Sequence, residues 1–323
     1  MAEVLISPPH LGEHRVLPSG WWPVDVLLAG YLAAAGLLIA GFFKSVPHAA
    51  LLLAAHAVGI ALILALVKSR PPAAGGGRRL LAVLRHWYPL VLVTLCYREL
   101  VTLIPAIRHT DLDAAMVRLD HRLWGSHPTV WLERVHSPWL TEGLQWVYTL
   151  FIPAVLLVGV LLWVQRRYPE FRYYAFLISL GFLASYLGYL LVPVRGPRIF
   201  LAHLQHTRLG GLWLFEGMQR VLNQLESAHY DCFPSGHTEL TLLACWSSRR
   251  ISMKLFAAFS VYSLAIIFAT VYLRYHYTVD VLAGAVLAAA LLVAAPIIYA
   301  AALNRERRRP GSRPGRVTTE ETT

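Results

Sequence analysis

Three observations predict an all-α fold for this chain, a polytopic transmembrane helix bundle of about eight spans. Of its 323 residues, 57% are hydrophobic and only 15% charged, against about 25% charged in soluble domains, and mean hydropathy is +0.52. Apolar runs close to the ~20 residues needed to cross a bilayer recur along the chain. Basic residues gather in alternate connections between those runs, as membrane topology requires. The net charge of +11 therefore belongs to topology. It does not indicate nucleic acid, for which no groove-reading motif is present.

Residues 1–23 are polar, with several prolines, and end in Trp21-Trp22, a pair suited to the membrane interface. They lack the compact basic, apolar, small-residue pattern of a cleaved signal peptide, so the first span is expected to be retained. Spans follow at about 24–43 and 47–67. The basic Gly/Pro-rich loop KSRPPAAGGGRR, residues 68–79, divides this N-terminal segment (1–80) from the main body of the chain (81–303). A third span, about 84–104, carries Arg98 and Glu99. At that depth ionisable side chains either pair in a polar interior or snorkel out from the boundary, and both readings stay open. Residues 105–142 interleave charges with Trp124, Trp131, Leu132 and Trp139, and read as an amphipathic stretch on or dipping into the interface. The fourth and fifth spans are about 144–164 and 174–192. About forty mostly polar residues then lead to a short sixth segment, 235–246, which begins inside the membrane boundary. The seventh span is about 253–272, and the eighth runs from near 276 to 303. The remainder, 304–323, is charged and Pro/Gly-containing, and reads as a disordered tail.

Charge orients the bundle. Lys68, Arg70, Arg78 and Arg79, then Arg166, Arg167 and Arg172, then Arg249, Arg250 and Lys254 fall on the same side as the tail arginines. With eight spans that side is cytoplasmic and holds both termini. The connections on the other face carry Arg198, His237, Arg274 and His276, so the polar chemistry collects opposite the basic loops.

Residues 232–284 concentrate that chemistry, opening CFPSGHTELTLLACW and closing YLRYHYTVDVLAG. Asp280 follows His276 by four residues, one helical turn on the same face. A carboxylate there fixes the imidazole tautomer and favours its charged form, as a nucleophile or general base requires. Ser235, Gly236 and His237 open an apolar run at a turn, the pattern of a helix start, which offers free N–H groups and partial positive charge to a phosphate. Arg274 and Arg198 add fixed positive charge. The set reads as a phosphate pocket with a histidine nucleophile. Cys96, Cys232 and Cys245 have neither metal-ligand spacing nor a disulfide framework, and read as small packing residues.

These residues resemble the membrane phosphatidic-acid-phosphatase (type 2) superfamily, in particular its inositolphosphotransferase branch. That branch includes the fungal inositol phosphorylceramide synthases, with the sphingomyelin synthases a related group. PSGH, residues 234–237, matches the second motif of the superfamily, and HYTVDVLAG, residues 276–284, matches the third. VPVRGPRIF supplies Arg195 and Arg198 for the first. The pattern YLxxHYxVD is similar to the synthases, and the stretch LDHRLWGSHPTVWLERVHSPWL is similar to a segment of bacterial members. Two positions depart from the wider pattern: Leu191 stands where a lysine usually precedes the first motif, and Ala269-Thr270 replace the Ser-Arg that opens the third. The resemblance covers roughly the last two-thirds of the chain.

The resemblance implies a six-helix catalytic core and a phospho-histidine on His276, oriented by Asp280. His237 would protonate the leaving oxygen and then deprotonate the acceptor. Arg198, Arg274, Ser235 and Gly236 would hold the phosphoryl oxygens, with Arg195 as an alternative to Arg198 in the first motif. No metal or other cofactor is expected, because no carboxylate cluster suited to Mg²⁺ accompanies the histidines. Asp111, Asp113 and Asp120 come nearest, without the pattern of the CDP-alcohol phosphotransferases. The implied substrate is a phospholipid or prenyl phosphate at the extracytoplasmic face, with water or a lipid alcohol as acceptor, and headgroup transfer favoured. If the source is bacterial, the membrane is the inner one. Two rival classes remain: an intramembrane serine protease using Ser235 and His276, which leaves His237, Asp280 and the arginines unexplained, and a non-enzymatic transporter or scaffold. The other histidines, including His56, His86 and His229, and Tyr148, Tyr186, Tyr189 and Tyr277 read as packing or interface residues.

Overall fold

A computed structural model describes residues 20–69, 76–225 and 230–307. The first nineteen residues, Arg70 with the middle of the basic loop, His229 and the tail beyond residue 307 lie outside them. Among the described residues there are helices, short turns and one isolated bridge, Val194 to Asp231. The principal helices are α1 (Pro23–Gly41), α2 (Ala49–Lys68), α3 (Gly76–Ile107), α4 (Asp113–Trp124), α5 (Pro138–Thr149) and α6 (Phe151–Val164). They continue with α7 (Tyr168–Leu191), α8 (Phe215–Leu225), α9 (Gly236–Ser248), α10 (Met253–Tyr272) and α11 (Thr278–Arg307).

Six of these, α1, α2, α3, α7, α10 and α11, are long and apolar enough to cross a membrane, and α5 with α6, bent by 45°, is apolar enough as a pair to make a broken span or a re-entrant loop. The chain is a multi-pass membrane protein. The bend has a covalent cause: Pro153 has no N–H for the Thr149 carbonyl, and its ring crowds that oxygen. The expected fourth span is therefore broken, with its first half reaching back to Pro138 inside the stretch expected to lie at the interface. The expected sixth segment is α9, whose 13 residues cover about 20 Å, short of the ~30 Å hydrocarbon core. Two boundaries also move outward. α3 begins at Gly76, inside the expected loop, because RRLLAVLRHW is made largely of good helix formers. α11 runs on to Arg307, past the expected start of the tail.

α9 is the hub. It packs against α6, α7, α10 and α11, and ten of its 13 residues are buried, so a short helix with threonines and a glutamate is shielded from lipid by its neighbours. α1 packs on α2, α3 and α7, whereas α2 leans on α1.

Glu99 is buried and paired with His56 Nε2 at 3.0 Å and with the Tyr31 hydroxyl, which ties α1 and α2 to α3. Arg98, its neighbour, is exposed and donates to the Gln224 carbonyl at 3.3 Å. Glu99 thus pairs in the protein interior, whereas Arg98 stays on the surface. α4 buries Asp113, Met116 and Asp120 and exposes Arg118, His121 and Arg122 together with Leu119, Leu123 and Trp124, so two carboxylates of this mixed stretch face the protein while its cations and large apolar side chains face out.

Candidate active site

Three chain segments meet where α7 ends and α9 and α11 begin. After α7 the backbone turns through Val194, whose carbonyl accepts from Cys232 N at 3.2 Å. Gly196 sits at φ +94°, and a Cβ there would lie 2.9 Å from the Tyr275 carbonyl, so the turn requires glycine. Two residues later Arg198 N donates to the Arg274 carbonyl at 3.0 Å. The start of α9 is laid directly on α11: Ser235 N donates to the Asp280 carbonyl at 3.0 Å, and a Cβ on Gly284 would come within 2.5 Å of the Ser235 oxygen. First, second and third motif regions are thereby stitched together through the backbone.

Four carboxylates fasten this assembly from outside. Asp113 accepts from Arg195 N at 2.8 Å, Gly196 N at 2.9 Å and the Tyr277 hydroxyl at 2.8 Å. Burial pushes the Asp113 carboxyl up from its usual range, opposed by those three donors. Asp120 takes Thr278 N at 3.0 Å, the Thr278 hydroxyl at 2.7 Å and Val279 N at 2.9 Å, capping the exposed amides of α11 from α4. Glu133 accepts from Arg274 Nη2 at 2.8 Å and from Thr207 N at 3.1 Å. Glu142 gathers the amides of residues 212–215, with Leu212 N and Leu214 N each at 3.0 Å. Asp113 and Asp120, the nearest approach to a metal cluster in the sequence, serve here as clamps.

Within this frame the rings of His237 and His276 stand 5.7 Å apart at 64°. His276 is 4% exposed and Asp280 fully buried, with Nδ1 and Oδ2 3.7 Å apart. Cys232 Sγ lies beside the pair and touches both, 2.7 Å from Asp280 Oδ2 and 3.5 Å from His276 Nδ1, so it is more than a packing residue. Asp280 and Cys232 both address Nδ1, which leaves Nε2 as the nitrogen available for attack. His237 is stacked on Tyr148 with ring centroids 4.4 Å apart, and Tyr148 on Tyr275 at 4.2 Å. Arg198 completes the wall, its Cζ 5.3 Å from the Tyr275 ring centroid, within cation–π range. Its Nη2 donates to Asn223 Oδ1 at 2.7 Å, while Nη1 is buried with no partner among the described residues. A half-buried guanidinium with one terminal nitrogen unpartnered suits a phosphoryl oxygen.

The other expected ligands are placed differently. Ser235 caps α9: its Oγ accepts from Thr238 N at 3.3 Å and from the Thr238 hydroxyl at 3.1 Å. Gly236 begins the helix against Tyr189, whose hydroxyl a Cβ would approach to 2.6 Å. Arg195 reaches Asp111 at 3.6 Å. Arg274 is tied to Glu133, to Gln205 Oε1 at 3.1 Å and to the Thr207 carbonyl at 2.7 Å. Burial pushes the Arg274 guanidinium down from its usual value, opposed by Glu133. Its φ of +65° is a left-handed position more often filled by glycine at a helix end, and costs on the order of 1 kcal/mol. The structure thus brings His237, His276, Asp280, Ser235 and Gly236 together, sets Arg198 on the Tyr275 ring behind Tyr148 and His237, and engages Arg195 and Arg274 with carboxylates. Among the described residues, Cys232, His276 and Asp280 offer donor atoms within 4.8 Å of one another. One thiol, one imidazole and one carboxylate do not make the oxygen-rich set that Mg²⁺ demands.

A family model described as PAP2 superfamily matches residues 114–294, more than half of the chain. This chain belongs to the PAP2 superfamily. Its function is accordingly of the lipid phosphatase or phosphotransferase kind. Neither a curated protein nor a solved structure matches the chain. The PAP2 match includes Arg198, His237, His276 and Asp280 and begins beyond α3, so α1, α2 and α3, with the contacts that join them at Glu99, lie outside the matched residues.

Proposed function

We propose that this PAP2 protein transfers the phosphoryl-bearing headgroup of a lipid phosphate ester through a phospho-histidine on His276, on the extracytoplasmic side of the membrane. The observation that carries the reading is the pair of rings 5.7 Å apart, one of them backed at Nδ1 by Asp280 and Cys232. In the first step His276 Nε2 attacks phosphorus and the bond to the leaving oxygen breaks, that oxygen taking a proton from the His237 imidazolium. In the second, neutral His237 takes the proton of an acceptor hydroxyl as its oxygen attacks phosphorus and the P–N bond breaks, returning both histidines to their starting state. Arg198 Nη1 and the first amides of α9 would balance the charge that develops on the equatorial oxygens.

The basic residues support the side: Lys68, Arg78, Arg79, Arg166, Arg167, Arg249 and Arg250 lie at the ends of spans remote from the start of α9. The third motif, YLRYHYTVDVLAG, supports a lipid alcohol as acceptor, as in inositol phosphorylceramide synthases. Plain hydrolysis of phosphatidate or prenyl diphosphate is the second reading, favoured by an Arg198–Asn223 contact that is partly open to water. Product analysis on the purified protein in detergent tests both. Radiolabelled phosphatidate, phosphatidylinositol and prenyl diphosphate are each supplied with and without ceramide or diacylglycerol, beside a His276→Ala control. Label moving to the acceptor is the expected result. Free phosphate alone makes the protein a phosphatase, and equal turnover in the control removes the His276 mechanism.

A further inference from the structure

Behind His276 the polar contacts converge on a single sulfur. Cys232 is 4% exposed, and its Sγ lies 2.7 Å from Asp280 Oδ2, 3.5 Å from His276 Nδ1 and 3.3 Å from the Tyr275 carbonyl. The direct distance from His276 Nδ1 to Asp280 Oδ2 is 3.7 Å, beyond the roughly 2.7–3.2 Å of an N–H to oxygen bond. A thiol has one proton to give and a sulfur that accepts weakly. The carboxylate is the strongest acceptor among its three neighbours, so the S–H points to Oδ2 and a sulfur lone pair is left for Nδ1–H. Asp280 depends on this donor. Its Oδ2 also accepts from Tyr277 N at 3.0 Å, but Oδ1 has no partner among the described residues.

We infer that Cys232 is a positioning residue that connects Asp280 to the imidazole of His276, Nδ1–H donating to Sγ and S–H donating to Oδ2. The inference rests on the reading of His276 as the nucleophile. When Nε2 takes up the phosphoryl group the ring becomes positively charged, and the Asp280 charge stabilises it through this two-bond chain. No bond to sulfur forms or breaks, and the proton on Nδ1 stays where it is. The sulfur is held in register by the first and third motif regions: Cys232 N on the Val194 carbonyl at 3.2 Å, Gly196, whose absent Cβ would lie 3.3 Å from Sγ, and the third-motif contacts above. A donor of thiol or hydroxyl size fits this position, and a longer side chain does not.

The test measures steady-state turnover and the single-turnover rate of phosphoenzyme formation for wild type, Cys232→Ala, Cys232→Val and Cys232→Ser. His276→Ala and a melting temperature in detergent accompany each set, with the three radiolabelled lipids above as probes. Valine keeps volume without a donor, and serine keeps the donor. Ala and Val are expected to lower kcat and phosphoenzyme formation about tenfold, the scale of one lost hydrogen bond to a charged group, with KM within about twofold. Serine is expected to restore kcat to within about threefold of wild type. Wild-type kcat in either the Ala or the Val variant overturns the inference while leaving the His276 reading intact. So does a serine variant as slow as alanine at an unchanged melting temperature, which would mean that sulfur's size is what matters. Full activity in His276→Ala, or a wild type that turns over none of the three lipids, overturns the reading itself and the inference with it.

Discussion

Two buried carboxylates, one at each end of the bundle, are treated in opposite ways. Asp25, at the start of α1, is fully buried and saturated. Its oxygens accept from Trp22 N at 2.6 Å, from Arg85 Nη1 at 2.6 Å, from Arg85 Nη2 and from the Tyr88 hydroxyl, and Arg85 lies 4.1 Å over the Trp22 ring. Asp280, at the start of α11, is equally buried, yet one of its oxygens has no partner among the described residues and its imidazole stands 3.7 Å away. A charge kept for structure is surrounded until every lone pair is used. On the mechanism proposed above, Asp280 leaves capacity unfilled because its partner His276 changes charge during the reaction. Arg198, with Nη1 unpartnered among the described residues, and Arg85, with both terminal nitrogens on Asp25, repeat the contrast among cations.

The largest effect expected from this contrast is at the nucleophile. His276→Ala should lower turnover on the order of 10⁴-fold or more, as loss of a covalent nucleophile does, while the melting temperature in detergent stays near wild type. A variant that unfolds instead would make the imidazole a structural group like His86, which packs between Trp22 and Trp163.

Asp25→Ala should do the reverse. It strands a buried guanidinium and should cost about 3–5 kcal/mol of stability, read as a drop in melting temperature, with turnover per folded molecule unchanged. The double variant Asp25→Leu with Arg85→Met removes both charges and should recover most of that loss. Reduced turnover at unchanged stability would show that the two ends of the bundle communicate, and the contrast would then fail.

Arg198→Ala should lower kcat by about 10²–10³-fold, the usual cost of one preorganised donor to developing charge. Arg198→Lys should recover only part of it, since an ammonium lacks the planar fork. A rise in KM with unchanged kcat would instead make Arg198 a headgroup anchor that binds ground and transition state alike.

How much of this was legible before the structure differs between the spans and the site. Spans are local: twenty apolar residues announce themselves, and α10 occupies the expected 253–272 to the residue. Where a span is broken or shortened, the cause is one atom or one environment, the missing N–H of Pro153 or the protein shell around α9. His237, His276 and Asp280 were legible because the turn, the helix start and the four-residue spacing each have a physical meaning. Tyr148, stacked on His237 from 89 positions away in the chain, had no local signature. The clamp from Asp113 to Tyr277, 164 positions apart, was equally invisible: the sequence excluded a metal role for Asp113 without offering it another. Cys232 stood two residues before Pro234 with no pattern to mark it, because a sulfur's neighbours are set by how α9 and α11 meet.

The smallest expected effect falls on Ser235, which separates the two kinds of polar residue at the site itself. Its oxygen already accepts from Thr238 N and the Thr238 hydroxyl, it is fully buried, and it begins the helix that carries His237. By the logic of Asp25 it belongs with the saturated, structural groups. Ser235→Ala should therefore cost about 1 kcal/mol of stability, as loss of an N-cap does, and most of the turnover should survive. Ser235→Asp, which can still accept from the Thr238 amide, should keep the cap but bring negative charge beside a phosphate, so it should lower turnover more than alanine does. Loss of all activity in Ser235→Ala at an unchanged melting temperature would move Ser235 to the chemical side and revive a serine nucleophile. Two variants and two readouts, melting temperature and turnover of labelled lipid, are enough to decide, because capping and catalysis predict opposite orders for alanine and aspartate.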